Sequence, residues 1–182
     1  MRPNPGMIVG MAIAVLCLAG CANMATDRYA SSVDNVVALR PYAASQVNVG
    51  QFTSSVPGKN AIGCRLGAPI LTPDGEPFSE YIRKALSDEL KLANAYSANS
   101  PVTLSGNLDL IDFSSNTGKW DLGITLRSSN GHSLKASTEH KFVTSFGGDT
   151  ACAQTAQAFM PAVQDLIRQT IESPEFSALF KQ

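Results

Sequence analysis

The sequence predicts an α+β two-layer sandwich: a mostly antiparallel sheet with a three-strand meander, covered on one face by two helices. Three observations carry this. Three consecutive segments between Val102 and Phe142 alternate apolar and polar residues, the period of a half-buried strand. Two further segments, after Pro77 and after Asp149, space their apolar residues three or four apart, as a helix with one buried stripe does. The order strand, strand, helix, meander, helix suits helices packed on one side of an antiparallel sheet.

The chain opens with a processing signal. Arg2 is followed by the apolar run Met7 to Leu16, then Leu18-Ala19-Gly20-Cys21. A charge, an apolar span too short for a mature transmembrane helix, and small residues ending on cysteine form a bacterial lipoprotein signal. Residues 1–20 are the expected signal peptide. The Cys21 thiol then accepts a diacylglycerol, and the new amino terminus takes a further acyl chain. Each buried methylene adds about 0.8 kcal/mol to such an anchor. In enterobacteria an Asp after the cysteine retains a lipoprotein in the inner membrane. Here Ala22 follows, so the expected location is the outer membrane, with the domain facing the periplasm.

Removing residues 1–20 from the 182 leaves 162, with 13 basic and 15 acidic side chains. That length suits one domain with a proper core. The charge balance excludes a basic nucleic-acid footprint. Residues 21–45 are small and polar and read as the lipidated N-terminus and a tether, with a short strand at Val36-Val37-Ala38-Leu39. Residues 46–182 form the single predicted domain.

Within it, Gln46 to Thr53 alternates as a strand, and Ile62, Cys64 and Leu66 suggest a second. Pro77 suits the first position of a helix whose apolar face is Phe78, Ile82, Ala85, Leu86, Leu90 and Ala93. The meander follows, with apolar Val102, Leu104, Leu108 and Leu110, then Trp120, Leu122, Ile124 and Leu126, then Leu134, Ala136 and Phe142. All are even-numbered, so directly opposed residues must have numbers with an even sum. A two-residue Asn130-Gly131 turn would give an odd sum and split the apolar faces. Three-residue loops are therefore expected at Ser129-Asn130-Gly131 and Asn116-Thr117-Gly118, the first with Gly131 left-handed.

The second helix is expected over about Thr150 to Ile171, capped by Asp149, with Cys152, Ala156, Phe159, Val163, Leu166, Ile167 and Ile171 as its stripe. Pro161 either kinks it or starts its regular part. Ser173-Pro174-Glu175 opens a last short helix.

Chemistry is sparse. Cys17 leaves with the signal peptide and Cys21 takes lipid, which leaves Cys64 and Cys152. Two cysteines in an oxidising compartment usually pair, the alternative being two buried thiols. A bridge would close a loop worth about 4 kcal/mol of chain entropy. No cysteines or histidines stand at zinc-ligand spacing, and nothing implies a metal or another cofactor. His132 and His140 fit no nucleophile motif, and His140 reads as a packed, hydrogen-bonded core residue. Asp109 and Asp121 share the outward sheet face, where polar residues such as Thr125 are expected anyway. No catalytic residue is assigned. Ile111, Phe113 and Val143 are apolar on that outward face, near one end of the meander. They are either a partner-binding patch or the seat of the N-terminal segment.

Several motifs together are familiar. They are Val47-Asn48-Val49-Gly50-Gln51-Phe52-Thr53, Pro69-Ile70, Pro73-Asp74-Gly75-Glu76-Pro77-Phe78 and Ala85-Leu86-x-x-Glu89-Leu90, closing with Pro161-Ala162-Val163-Gln164 and Pro174-Glu175-Phe176. Behind a lipobox they resemble the YajG-like group of uncharacterised proteobacterial outer-membrane lipoproteins. The resemblance implies an α+β domain at the outer membrane and supplies no catalytic residues. The expected function is that of a non-enzymatic, lipid-anchored periplasmic protein, a binding or accessory subunit of an envelope assembly or transport system. The expected partners are the membrane, through Cys21, and an envelope protein. The alternatives are a small-ligand or peptidoglycan-binding lipoprotein and a hydrolase inhibitor.

Overall fold

In the computed structural model, residues 24–55, 60–65 and 67–181 are described. Their fold is α+β, with three helices and two mixed sheets. The larger sheet has four strands in the order β2-β5-β6-β7, from β2 (Asn48–Ser54), β5 (Thr103–Ser114), β6 (Lys119–Ser128) and β7 (Ser133–Lys141). The meander is antiparallel throughout, and β2 joins its edge in parallel with β5. The smaller sheet orders three two-residue strands β1-β4-β3, from β1 (Met24–Ala25), β3 (Ala61–Ile62) and β4 (Ile70–Leu71). Strands so short carry no periodicity, which is why β1 and β4 escape a pattern reading.

Helices α2 (Phe78–Leu92) and α3 (Gly148–Glu172) pack on one face of the large sheet. The predicted apolar stripe of α2 is buried in full, as is that of α3 as far as Ile167. Phe159 of α3 is the hinge pin of this layer. Its ring lies 5.2 Å from Phe78, 5.1 Å from Tyr81 and 5.0 Å from Trp120, joining both helices to β6. Trp120 satisfies its one donor by giving Nε1–H to the Thr155 carbonyl at 2.8 Å. α3 starts with Gly147 at the cap, and Asp149 lies exposed in the first turn, where a carboxylate favours the helix dipole. The helix runs continuously past Pro161, so the turns before that residue are not a separate segment.

From Met24 onward the predicted tether is packed structure. Val36 to Leu39 belongs to a helix, α1 (Val33–Leu39), not a strand. Ser32 caps it, accepting from the Asn35 N–H at 3.4 Å. Asn35 and Leu39, four apart, are buried while Val33 and Val37, also four apart, are exposed, which is helical spacing. Asn35 then binds both covering helices, donating Nδ2–H to Glu89 at 3.3 Å and to the Gln164 carbonyl at 3.0 Å. Tyr42 meets Phe176 edge-on and Phe180 at a tilt, both in the C-terminal 3-10 turn, Phe176–Phe180. Residues 24–45 therefore belong to the domain. Cys21 lies outside the described residues.

The β6–β7 hairpin has the predicted form. Opposed residues sum to 260, and Ser128 closes onto His132 around a three-residue loop in which Gly131 has φ +93°. The β5–β6 hairpin does not. Its loop is Ser115 to Gly118, four residues, and near it opposed residues sum to 233. Beyond Asp109, which faces no partner, the sum becomes 232. Asp109 is a β-bulge: one extra residue that flips the parity of the strand. Leu104 and Leu108 point to the core before it, and Ile111 does so after it, opposite Leu122. Leu110, expected inside, is 48% exposed. A second irregularity in β2 does the same, letting Val49 and Phe52 both point inward although they are three apart.

Candidate functional site

One face of the large sheet is covered by α2 and α3; the other carries the sheet's polar side chains. A row of hydrogen bonds crosses it. Thr53 donates to Asn107 Oδ1 at 2.8 Å, and Asn107 Nδ2 donates to Ser55 at 2.9 Å and to Asp109 at 2.6 Å. Thr125 donates to the other Asp109 oxygen at 2.6 Å. Thr125 does lie on this outward face. It is nonetheless only 5% exposed, because cross-strand neighbours Asn107 and Lys135 and the bulged Asp109 crowd over it. Further along, Lys119 pairs with Asp121 at 2.9 Å and Glu139 at 3.1 Å. Hydrogen bonds to Asp121 and Glu139 raise the Lys119 pKa, and Lys119 in turn lowers that of Glu139. Leu110 stands among these polar groups as an exposed apolar residue.

The residues singled out for a partner patch separate. The bulge turns Ile111 into the core at 6% exposure. Phe113 is half-buried, its ring 4.8 Å from Trp120. Val143 is exposed, in the segment between β7 and α3, and Phe146 of the same segment is fully exposed. That patch is therefore not one surface. The apolar groups that do meet solvent here are Leu110 on the sheet and Val143 and Phe146 at its tip.

The tip is held together by Arg65 and a disulfide. Cys64 and Cys152 are bonded, with Cα atoms 5.9 Å apart, tying the segment after β3 to the first turns of α3. Arg65 has φ +49°, a backbone conformation that costs a non-glycine residue roughly 1–2 kcal/mol. It donates to the Phe146 carbonyl at 2.8 Å, to the Ser115 carbonyl at 2.9 Å and to Ser115 Oγ at 3.1 Å. Thr144 also donates to the Ser115 carbonyl, at 2.6 Å. The β5–β6 turn and the segment before α3 thus form one fastened unit.

The burial of Glu89 escaped the sequence reading. The residue lies on α2 yet is fully buried. Its Oε1 accepts from the Tyr29 hydroxyl, from the Ser32 N–H at 3.0 Å and from Asn35. Its Oε2 has no partner. Burial raises its pKa, against the opposing effect of those three donors. The signal was available: Glu89 is four residues from both Ala85 and Ala93, on the covered face. The arrangement clamps the N-terminal segment onto α2. His140 has a comparable structural place, its Nδ1 being 2.7 Å from Asp165 on α3. His132 is exposed beside its turn.

Among the described residues no cluster of three His, Cys, Asp or Glu side chains is placed to hold a metal. Nor is any helix among them long and apolar enough to cross a membrane. The disulfide points to an extracytoplasmic compartment.

No protein family matches the chain, and no curated protein does. The fold is similar to the crystal structure of protein XCC0632 from Xanthomonas campestris, assigned to the family DUF330. The TM-score is 0.46 with 11% sequence identity, over 69% of this chain and 83% of that one.

Proposed function

We propose that this is a lipid-anchored, non-enzymatic envelope lipoprotein of the YajG-like kind, which docks a protein partner of an assembly or transport system on its open sheet face. The observation that carries this is the sheet face that no helix among the described residues covers. Its side chains are held in a fixed hydrogen-bonded row, from Thr53 through Asn107 and Asp109 to Thr125, with exposed Leu110 beside it. Pre-ordered polar groups around an apolar residue lower the entropy lost on docking. The lipobox ending at Cys21 and the disulfide support an extracytoplasmic location.

Site-specific photo-crosslinking in the native envelope tests the reading. A crosslinker at Leu110 or Ser137, on the open face, should yield a discrete protein adduct. The same group at exposed Lys91, on the helical side, should not. No adduct from either sheet position would sink the proposal. Retained glycan or small molecule in place of an adduct would favour a ligand-binding lipoprotein instead.

A further inference from the structure

We propose that the tip bearing Phe146 and Val143 dips into the bilayer that carries the lipid anchor, so that the domain is held at two points in a fixed orientation. This rests on the reading of Cys21 as the acylated residue. Phe146 is fully exposed and Val143 is 84% exposed. Their exposure is built in rather than a consequence of fraying. Phe142 N–H donates to the Gly118 carbonyl at 2.8 Å, Thr144 is bonded to Ser115, and Arg65 grips the Phe146 carbonyl. These are two large apolar side chains, three residues apart in sequence, presented to solvent on a fastened segment and available to a bilayer.

The first described residue, Met24, lies at the same end. Met24 N–H donates to the Pro69 carbonyl at 3.2 Å, and β1 runs parallel to β4. Met24 therefore sits at the Gly67–Pro69 end of β4. A Cβ on Gly67 would lie 3.6 Å from Asp149 Oδ1, and one on Gly148 would lie 3.8 Å from Arg65 Cδ. Arg65 is the residue that grips Phe146, and Asp149 lies three residues after Phe146, in the first turn of α3. From Cys21 to Met24 the chain advances three residues, at most about 11 Å when extended. The headgroup layer on one side of a bilayer is roughly 6 Å thick. An anchor so short brings this end of the domain to the membrane surface and leaves no room for a spacer. Arg65 adds charge complementarity. Among the described residues its donors go to uncharged carbonyl and hydroxyl oxygens, so no ion pair ties up its charge, while the exposed Asp149 carboxylate at the same end offsets part of it. A basic residue beside exposed apolar ones is the composition of an interfacial membrane contact.

The experiment uses full-length protein made in its native envelope and reconstituted into vesicles of phosphatidylethanolamine and phosphatidylglycerol. Intact mass spectrometry first reads whether Cys21 carries lipid. Phe146→Trp is then compared with His132→Trp, which lies past the far end of ten-residue β6, roughly 33 Å away at about 3.3 Å per residue. Trp120 is fully buried and gives a constant background. The expected result is a blue shift for Phe146→Trp on reconstitution, with loss of emission when the lipids are brominated near the headgroup. His132→Trp should show neither. A blue shift without bromolipid quenching would mean that a second copy or another protein covers residue 146, and would overturn the lipid contact. Emission unchanged from that in water would overturn it too. Unmodified Cys21 would overturn the anchor and this inference together, whereas lipidated protein with an unquenched tip overturns the inference alone.

Discussion

The β6–β7 hairpin turns through Ser129-Asn130-Gly131, and every opposed pair along it sums to 260. The β5–β6 hairpin turns through four residues, and its pairs sum to 233 near the turn and 232 beyond Asp109. Both must deliver the apolar residues of two strands to one face. The first meets that demand in the turn. The second violates it in the turn and restores it in the ladder, with one unpaired residue. The difference teaches that parity constrains a hairpin as a whole and not the place where the correction is made. It also changes the surface, because the bulge sends Leu110 outward and puts the Asp109 carboxylate against Thr125.

The sharpest way to break this comparison is at the two residues the bulge exchanges. Ile111→Ala should open a cavity beside Leu122 and cost roughly 2–5 kcal/mol, whereas Leu110→Ala should cost about 0.5 kcal/mol. Urea unfolding of both variants decides it. A larger loss at Leu110 would mean that β5 alternates without a bulge.

The turns differ in a second way. Gly118 and Gly131 both have positive φ, +68° and +93°. A Cβ on Gly131 would meet open space, but one on Gly118 would lie 2.1 Å from the Phe142 carbonyl oxygen. Gly131→Ala should therefore cost about 1 kcal/mol for the backbone conformation alone, and Gly118→Ala more than about 2 kcal/mol. Equal losses would mean that the four-residue turn does not press against Phe142.

These contrasts mark what was legible in the sequence. Strands β5 to β7, α2, α3 and the cysteine pair were, because each has many residues in register with one period or one compartment rule. The bulge was not, since a single inserted residue leaves Leu108, Leu110 and Ile111 all apolar and either parity readable. The N-terminal segment was not, because its packing depends on contacts remote in sequence. Asn35 meets Gln164, and Tyr29 meets Glu89. Of the candidate site, Val143 was read as an apolar residue of the outward sheet face, either a patch or a seat for the N-terminal segment, whereas it lies exposed beyond β7, and Phe146 three residues on was not singled out. Arg65 was missed altogether, because its role lies in a left-handed backbone and in carbonyls supplied by Ser115 and Phe146.

The smallest effect tests whether the bulge is fastened by its side chain or only by the ladder around it. Thr125 donates to Asp109 at 2.6 Å, and the β6–β7 hairpin has no bulged residue to receive such a bond. Thr125→Val keeps the shape and removes the donor, so it should cost about 1 kcal/mol, near the net worth of one hydrogen bond. Asp109 is exposed, and water competes for its oxygens, which keeps the effect at that level and not higher. Asp109→Ala removes the same bond from the other side. In a double-mutant cycle the two should couple by at least about 0.5 kcal/mol, the level at which contacting residues depart from additivity. Strict additivity would show that the bond contributes nothing to stability. The bulge would then be held by its backbone alone, and the ordered polar row proposed as a docking surface would lose its anchor at Asp109.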